Sequence, residues 1–469
     1  MKTGLQTALA AVIILILTGC ATYQVNPPLA RYDPRSGYRF ENLTTPENSD
    51  SLFIILTFSG GGTRAAALSY GVLEKLRDTK IRWEGRETRL LDEVDVISSI
   101  SGGSFTAAYY GLFGDELFDP QRFQKVFLYR NILSDLIASM FNPINWFKLA
   151  SPYFGRIDLA GEIYDKEIFR QKNFGDLTSR SRRPFILINA TDMTLGSQFA
   201  FTQDQFDLLC SDLNGVHVAR AVAASSNFPI AFTPMTVNNY AGTCGYREPA
   251  WMEEASKDLL DNPPRFNRAR IARAYLNKDE RAYIHLLDGG VSDNIGLRSV
   301  LVALGSKDLP WNLPNKMNQS KIKKIVVIVV DARTEPKTDM DKTQCSPGLF
   351  AIVDNIASVP MSNYSFETVQ ELFNTFDEWR RDSQNYDDCK GVLDKNCPGA
   401  NMPDKPPAPV DTYGVYIGFD RIRDQREREY FLNMPTAFSL KKEEVDDLRK
   451  IGPKVLDDSQ EFQRLLEGL

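Results

Sequence analysis

Two clusters of small residues hold the groups in this chain that could do chemistry. In DVISSISGGSF, residues 95–105, an apolar strand runs into Ser101, with Ser99 two places before it, Gly103 two places after, and the helical FTAAYYGLF following. A nucleophilic serine needs that setting, because tiny neighbours let the backbone turn sharply from strand to helix and expose the hydroxyl. The helix N-terminus then favours the negative charge that develops there. The plainer reading is a loop of convenient small residues. In FSGGGTRAAAL, residues 58–68, Gly60, Gly61 and Gly62 likewise stand between a strand and a helix. Gly60, Gly62 and Ala65 fit a dinucleotide fingerprint, but the acidic residue due about twenty residues on is missing, and no Gly-Lys-Ser/Thr follows for a phosphate loop. Consecutive glycines have a third use: their N–H groups converge into a nest for an oxyanion. The Gly102 N–H would complete such a nest with Gly61 and Gly62.

A serine nucleophile needs a base. The chain has only two histidines, His217 and His285. His217, in GVHVARAVAAS, reads as a helix-face residue. His285 lies three residues before Asp288 on one strand, so the two side chains point to opposite faces. A Ser-His-Asp triad is therefore not expected. Asp192, Asp288 and Asp331 each end an apolar strand, and the residues alone leave the choice among them open. Neither a His/Cys ligand cluster nor a calcium-loop spacing is present, so no metal or cofactor is implied.

The elements that must position these residues are legible as buried runs: SLFIILTF, VDVISS, PFILINATD, AYIHLLDGG and IKKIVVIVVDAR. Helical patterns alternate with them. In TRAAALSYGVLEKLRD, Ala65, Leu68, Val72 and Leu76 step by three and four along one face. Strands buried on both faces and alternating with helices predict a three-layer α/β/α sandwich with a mainly parallel central sheet, with chemistry at the C-terminal strand ends. Residues 51–335 form the expected core. Residues 336–411, cysteine-containing and mostly helical, read as an insertion or cap, and 412–469 supply a closing strand (TYGVYIGF) and an amphipathic helix (KKEEVDDLRKIGPKVL).

At 469 residues with 43% hydrophobic side chains, the chain can bury a large core. A net charge of −6 argues against a nucleic-acid partner and against docking on membranes through a basic patch. MKTGLQTALAAVIILILTGC reads as a signal peptide over residues 1–19. LTGC resembles the bacterial lipobox, which implies lipidation of Cys20, a polar tether over 20–50, and an address in the cell envelope. Ala21, rather than aspartate, after the cysteine points to the outer membrane. Among the other five cysteines, Cys389 and Cys397 are closest in sequence, and the pairing is left open.

Three motifs together resemble the patatin-like phospholipases: GGGTR (Gly60 to Arg64) as the oxyanion loop, SISGG (Ser99 to Gly103) as the nucleophile elbow, and DGG (Asp288 to Gly290). They run in the family's order, and ASSNFPIAFTPM, DGGVSDNIGLRS and NMPTAFSL also look like family segments. Ser99 stands where the family usually has glycine. The resemblance implies a Ser101–Asp288 dyad, with an oxyanion hole from Gly60, Gly61, Gly62 and Gly102. Around it stand Arg64, to steady the glycine loop or a phosphate, with Gly103, Gly289 and Gly290, and Asn294 to orient Asp288 or form a turn. It implies a lipid acyl hydrolase acting on membrane phospholipid or another acyl-ester lipid. A thioesterase or small-ester esterase, and a catalytically weak lipid-binding lipoprotein, are the rival readings. LIASMFNPINWFKLASPYFG, residues 136–155, concentrates aromatic and aliphatic side chains. It reads first as a core helix, and second as a flap or a surface that dips into a bilayer.

Overall fold

The structure, a computed structural model, describes residues 21–43, 45, 48–229, 231–305, 321–335, 339–342, 344–397 and 410–469. The leader and Cys20 lie outside the described residues. The strands of the main sheet are β1 (Leu52–Phe58), β2 (Val94–Ile100), β3 (Phe185–Asp192), β4 (Gln198–Ala200), β5 (Met235–Asn238), β6 (Tyr283–Leu287), β7 (Lys324–Asp331) and β8 (Asp411–Gly418). They lie in the order β8-β7-β1-β2-β3-β6-β5, with β4 paired to β3. Neighbours from β8 to β3 are parallel. Every residue of β1, β2, β3 and β7 is buried, which is why these strands read as unbroken apolar runs. Helices on both sides complete the expected three-layer α/β/α fold.

The far end of the sheet is antiparallel: β6 runs against β3, and β5 against β6. That reversal brings the chain after β6 back alongside β3. Ile100 pairs with Asn189, and Leu287 pairs with Thr191 two residues further along β3. Gly289 thus returns to the level of Asn189, beside the residue that precedes Ser101.

The helices that matter to the site are α1 (Gly62–Asp78), α2 (Ser101–Phe113), α3 (Ile132–Phe141), α4 (Pro143–Leu149), α5 (Arg156–Glu167), α6 (Val218–Ser225), α7 (Leu349–Asn396) and α8 (Lys442–Asp458). The anticipated stripe of α1 (Ala65, Leu68, Val72, Leu76) is buried. α8 crosses α1 so closely that a Cβ on Gly71 would lie 2.2 Å from the Arg449 carbonyl oxygen.

Three readings change, and the disulfide pairing that the sequence left open is resolved. Residues 21–43 are not a free tether: Tyr38, Phe40 and Leu43 are buried in the core, and Asn26 Nδ2 donates to Ser211 Oγ at 2.8 Å. The polar, proline-containing composition concealed a segment whose aromatic side chains have partners to bury against. The described part of 336–411 is chiefly the crossover that two parallel neighbours require. α7 joins β7 to β8 and buries Leu372 and Phe376, with Phe373 and Phe376 packed beside Gly414 of β8. Among the described residues, Cys210 and Cys244 form a disulfide, while Cys389 and Cys397, along with Cys345, are free and exposed. Eight residues along one helix separate two side chains by about 12 Å, beyond the reach of a disulfide. Finally, the aromatic segment is not core. In the α3–α4 hairpin Phe141, Ile144 and Trp146 are 72%, 71% and 57% exposed. Among the described residues, no helix is long and apolar enough to cross a membrane.

Candidate active site

β2 delivers Ser101 into the first position of α2 with φ +47°, in the left-handed region that a side chain avoids. Such strain costs on the order of 1–3 kcal/mol and persists only where the surroundings impose it. Here they do. The Ser101 N–H donates to Ser225 Oγ at 2.8 Å, and Ser225 in turn donates to the Asn189 carbonyl at 2.7 Å. Gly103 N donates to the Ser59 carbonyl at 3.2 Å, tying the elbow to the end of β1. Ser101 is 7% exposed.

Asp288, which follows β6, accepts the Gly290 N–H at 2.8 Å, and its carboxyl lies close enough to the Ser101 hydroxyl for that hydroxyl to lower its pKa. Its backbone is held on both sides: its N–H donates to the Asn227 carbonyl at 2.9 Å, and its carbonyl accepts from Thr191 Oγ1 at 2.8 Å. Burial pushes its carboxyl up to about 7, and these two groups only partly oppose that rise. The other two strand-end aspartates are committed elsewhere. Asp192 is paired with Arg281 at 2.6 Å and accepts from Tyr275, while Asp331 accepts from Tyr416 and the Arg333 N–H. Neither histidine joins the site, since His217 Nδ1 meets Asp165 and the exposed His285 meets Thr236.

The glycine loop closes the other side. A Cβ on Gly60 would lie 3.4 Å from the Ser101 Cβ, so loop and elbow are in contact. Gly61 and Gly62 take φ values of +137° and +60°, and a Cβ on Gly62 would lie 2.3 Å from the Ala437 carbonyl oxygen. That oxygen accepts the Thr63 N–H at 2.8 Å, so NMPTAFSL is a wall of the loop. Gly62 and Gly102 lie in the first turns of α1 and α2, where N–H groups have no partner within the helix.

The patatin-like phospholipase family model matches residues 56–301, just over half of the chain. The chain belongs to this family. No curated protein matches it. Among solved structures, human GIVD cytosolic phospholipase A2 is similar at 11% identity, over 89% of this chain and 62% of that one, with a TM-score of 0.41. This chain therefore spans about three fifths of that protein's length. VipD from Legionella pneumophila matches at 11% identity over 92% of this chain and 71% of that one, with a TM-score of 0.27.

The supporting residues of this patatin-like site divide. Gly60 is not free to serve an oxyanion, because its N–H donates to the Asn294 carbonyl at 2.9 Å. Asn294 accordingly anchors the glycine loop rather than Asp288. Arg64 is buried and donates to the carbonyls of Ala332 and Met434 at 2.8 and 2.7 Å. It clamps the loop between β7 and the C-terminal segment, and burial lowers its pKa to about 10. Gly289 lies so near β3 that a Cβ would sit 2.3 Å from the Asn189 carbonyl oxygen. Ser99, in the family's glycine position, is accommodated: its hydroxyl donates to the Leu187 carbonyl at 3.0 Å. Ser225, Asn227 and Thr191 were not singled out from sequence. The first two lie in ASSNFPIAFTPM, whose family likeness was the available signal.

The closest approach in the site is testable. A Cβ on Gly102 would lie 2.0 Å from the Gly62 carbonyl oxygen, backbone against backbone. Gly102→Ala is expected to cost about 3 kcal/mol or more in urea unfolding, because neither element can yield without breaking the elbow.

Proposed function

We propose that this chain is a lipid acyl hydrolase of the phospholipase A or lysophospholipase type, with Ser101 as nucleophile and Asp288 as its base. The observation that carries the reading is the strained Ser101 beside the buried Asp288 carboxyl, at the N-termini of two helices whose first turns carry Gly62 and Gly102. As Ser101 Oγ attacks the ester carbonyl carbon, its proton passes to Asp288. The negative charge moves to the carbonyl oxygen, which the N–H groups of Gly61, Gly62 and Gly102 face. Collapse of the tetrahedral intermediate breaks the ester bond, and Asp288 returns the proton to the departing alcohol. Water then attacks the acyl-serine, again giving a proton to Asp288, and the fatty acid leaves as Ser101 recovers its hydrogen. A base near pKa 7 suits this exchange, since it takes and returns the proton with little driving force lost.

The test is covalent labelling of the full chain with an alkyl fluorophosphonate, alongside fatty-acid release from mixed phospholipid vesicles. Label on Ser101 together with fatty-acid release supports the proposal. A folded chain that takes no label and releases nothing sinks it. Label with faster turnover of soluble thioesters than of vesicle lipid would move the substrate class to thioesters.

A further inference from the structure

The α3–α4 hairpin presents an apolar surface that the proposed chemistry does not use. Phe141, Ile144 and Trp146 point to solvent, with Leu133, Ile137 and Tyr153 exposed around them. Isolated exposed apolar residues are ordinary, but a contiguous patch of this kind marks a contact surface. The nearby charges are already paired, Lys148 with Glu162 at 2.7 Å and Arg130 with Asp135 and Glu167.

A second, independent observation says what the patch faces. The described chain begins at Ala21, and Ala21 is held against the segment that follows α4: its carbonyl accepts from Ser151 Oγ at 2.5 Å. Two residues on, Tyr23 N donates to the Tyr153 carbonyl at 2.9 Å. The residue before Ala21 is Cys20, the cysteine of LTGC. An acyl chain on Cys20 would therefore leave the protein beside Tyr153, at the edge of the apolar surface, rather than at the end of a long tether.

We infer that the α3–α4 hairpin, beside which the chain leaves toward Cys20, is a docking face for a lipid bilayer. Lipidation of Cys20 would hold that face on the membrane. The inference does not rest on acyl hydrolysis at Ser101. With acidic balance and paired charges, the contact is apolar insertion and does not require anionic lipid. The segment after α4 is linked to the site. A Cβ on Gly155, just past the hairpin, would touch Thr233 Oγ1. The Thr233 carbonyl accepts from Asn227 Nδ2 at 2.9 Å, and the Asn227 carbonyl accepts the Asp288 N–H.

The test uses the full chain, exported and purified in detergent, then reconstituted into neutral phosphatidylcholine vesicles carrying bromine on the acyl chains. A Ser101→Ala background keeps the vesicle from being consumed, so the readout is independent of activity. Bromine quenches only tryptophan that reaches the acyl region. The expected result is loss of the Trp146 share of the emission, one tryptophan in five. Trp146→Phe removes that quenched component. Phe141→Asp/Ile144→Asp, which keeps the tryptophan and changes only exposed positions, abolishes its quenching. Emission unaffected by bromine, or quenching that survives the double aspartate variant, would overturn the inference. So would an apolar face closed in a homodimer, read as a vesicle-independent dimer that the double variant converts to monomer.

Discussion

Ser101→Ala is expected to lower fatty-acid release from phospholipid vesicles by on the order of 10³–10⁵-fold while the protein stays folded. Alanine removes one oxygen and keeps the Cβ, so the backbone bonds of the elbow remain: the amide to Ser225 Oγ and Gly103 N to Ser59. The strain at φ +47° also remains, because it belongs to any residue with a Cβ. Ser101→Gly is expected to be equally inactive yet more stable than Ser101→Ala by up to about 1 kcal/mol, since glycine adopts the left-handed region without a Cβ clash. Fatty-acid release and urea unfolding on the two variants separate a catalytic hydroxyl from a structural one. If alanine retains more than a tenth of the activity, Ser101 is not the nucleophile.

Asp288→Asn carries the second large effect, and it has opposite signs for rate and stability. Activity should fall by roughly 10³-fold or more, because asparagine cannot take the serine proton. In the wild type the base works only when ionised. Its pKa near 7 makes activity climb as pH rises through about 7 and level off above it. Stability runs the other way. The folded-state pKa of Asp288 lies above its ordinary 3.8, so the folded state binds the proton more tightly than the unfolded chain. The stability this confers is fully present below pH 4 and disappears as pH climbs from there through about 7. Asparagine is uncharged throughout and retains an oxygen to accept the Gly290 N–H. The variant should therefore match the wild type near pH 4 and exceed it by on the order of 2–4 kcal/mol at pH 8. Urea unfolding at the two pH values checks this. A variant less stable than the wild type at pH 8 would show that the Asp288 carboxylate is compensated in the folded state by a partner other than Ser101 and Gly290.

Most of the chemistry was written locally. The glycines around Ser101, the run Gly60 to Gly62, and Asp288 followed by two glycines are short-range requirements of backbone geometry. A sharp elbow, a left-handed loop and a close approach to β3 each admit almost no other residue, so these segments announce themselves. The buried strands and the stripe of α1 were legible for a similar reason: burial on two faces or on one leaves a periodic apolar signature.

What the tertiary structure decided are the pairings between segments distant along the chain. The strand ends alone do not separate Asp288 from Asp192 and Asp331; the glycines that follow it and the family resemblance single it out. Only the fold gives Asp192 to Arg281 and Asp331 to Tyr416, and only the antiparallel register of β6 brings Asp288 to Ser101. Gly60 resembles its neighbours in sequence, yet the Asn294 carbonyl, supplied from far along the chain, takes its N–H. The aromatic hairpin and the segment over 21–43 misled in opposite directions. Apolar composition shows that a segment wants cover, but whether the protein supplies it depends on what packs alongside, and neither Phe141 nor Tyr38 carries that information itself. Local sequence sets what conformation and chemistry each residue allows. The partner that uses an allowance is chosen by chain closure over hundreds of residues.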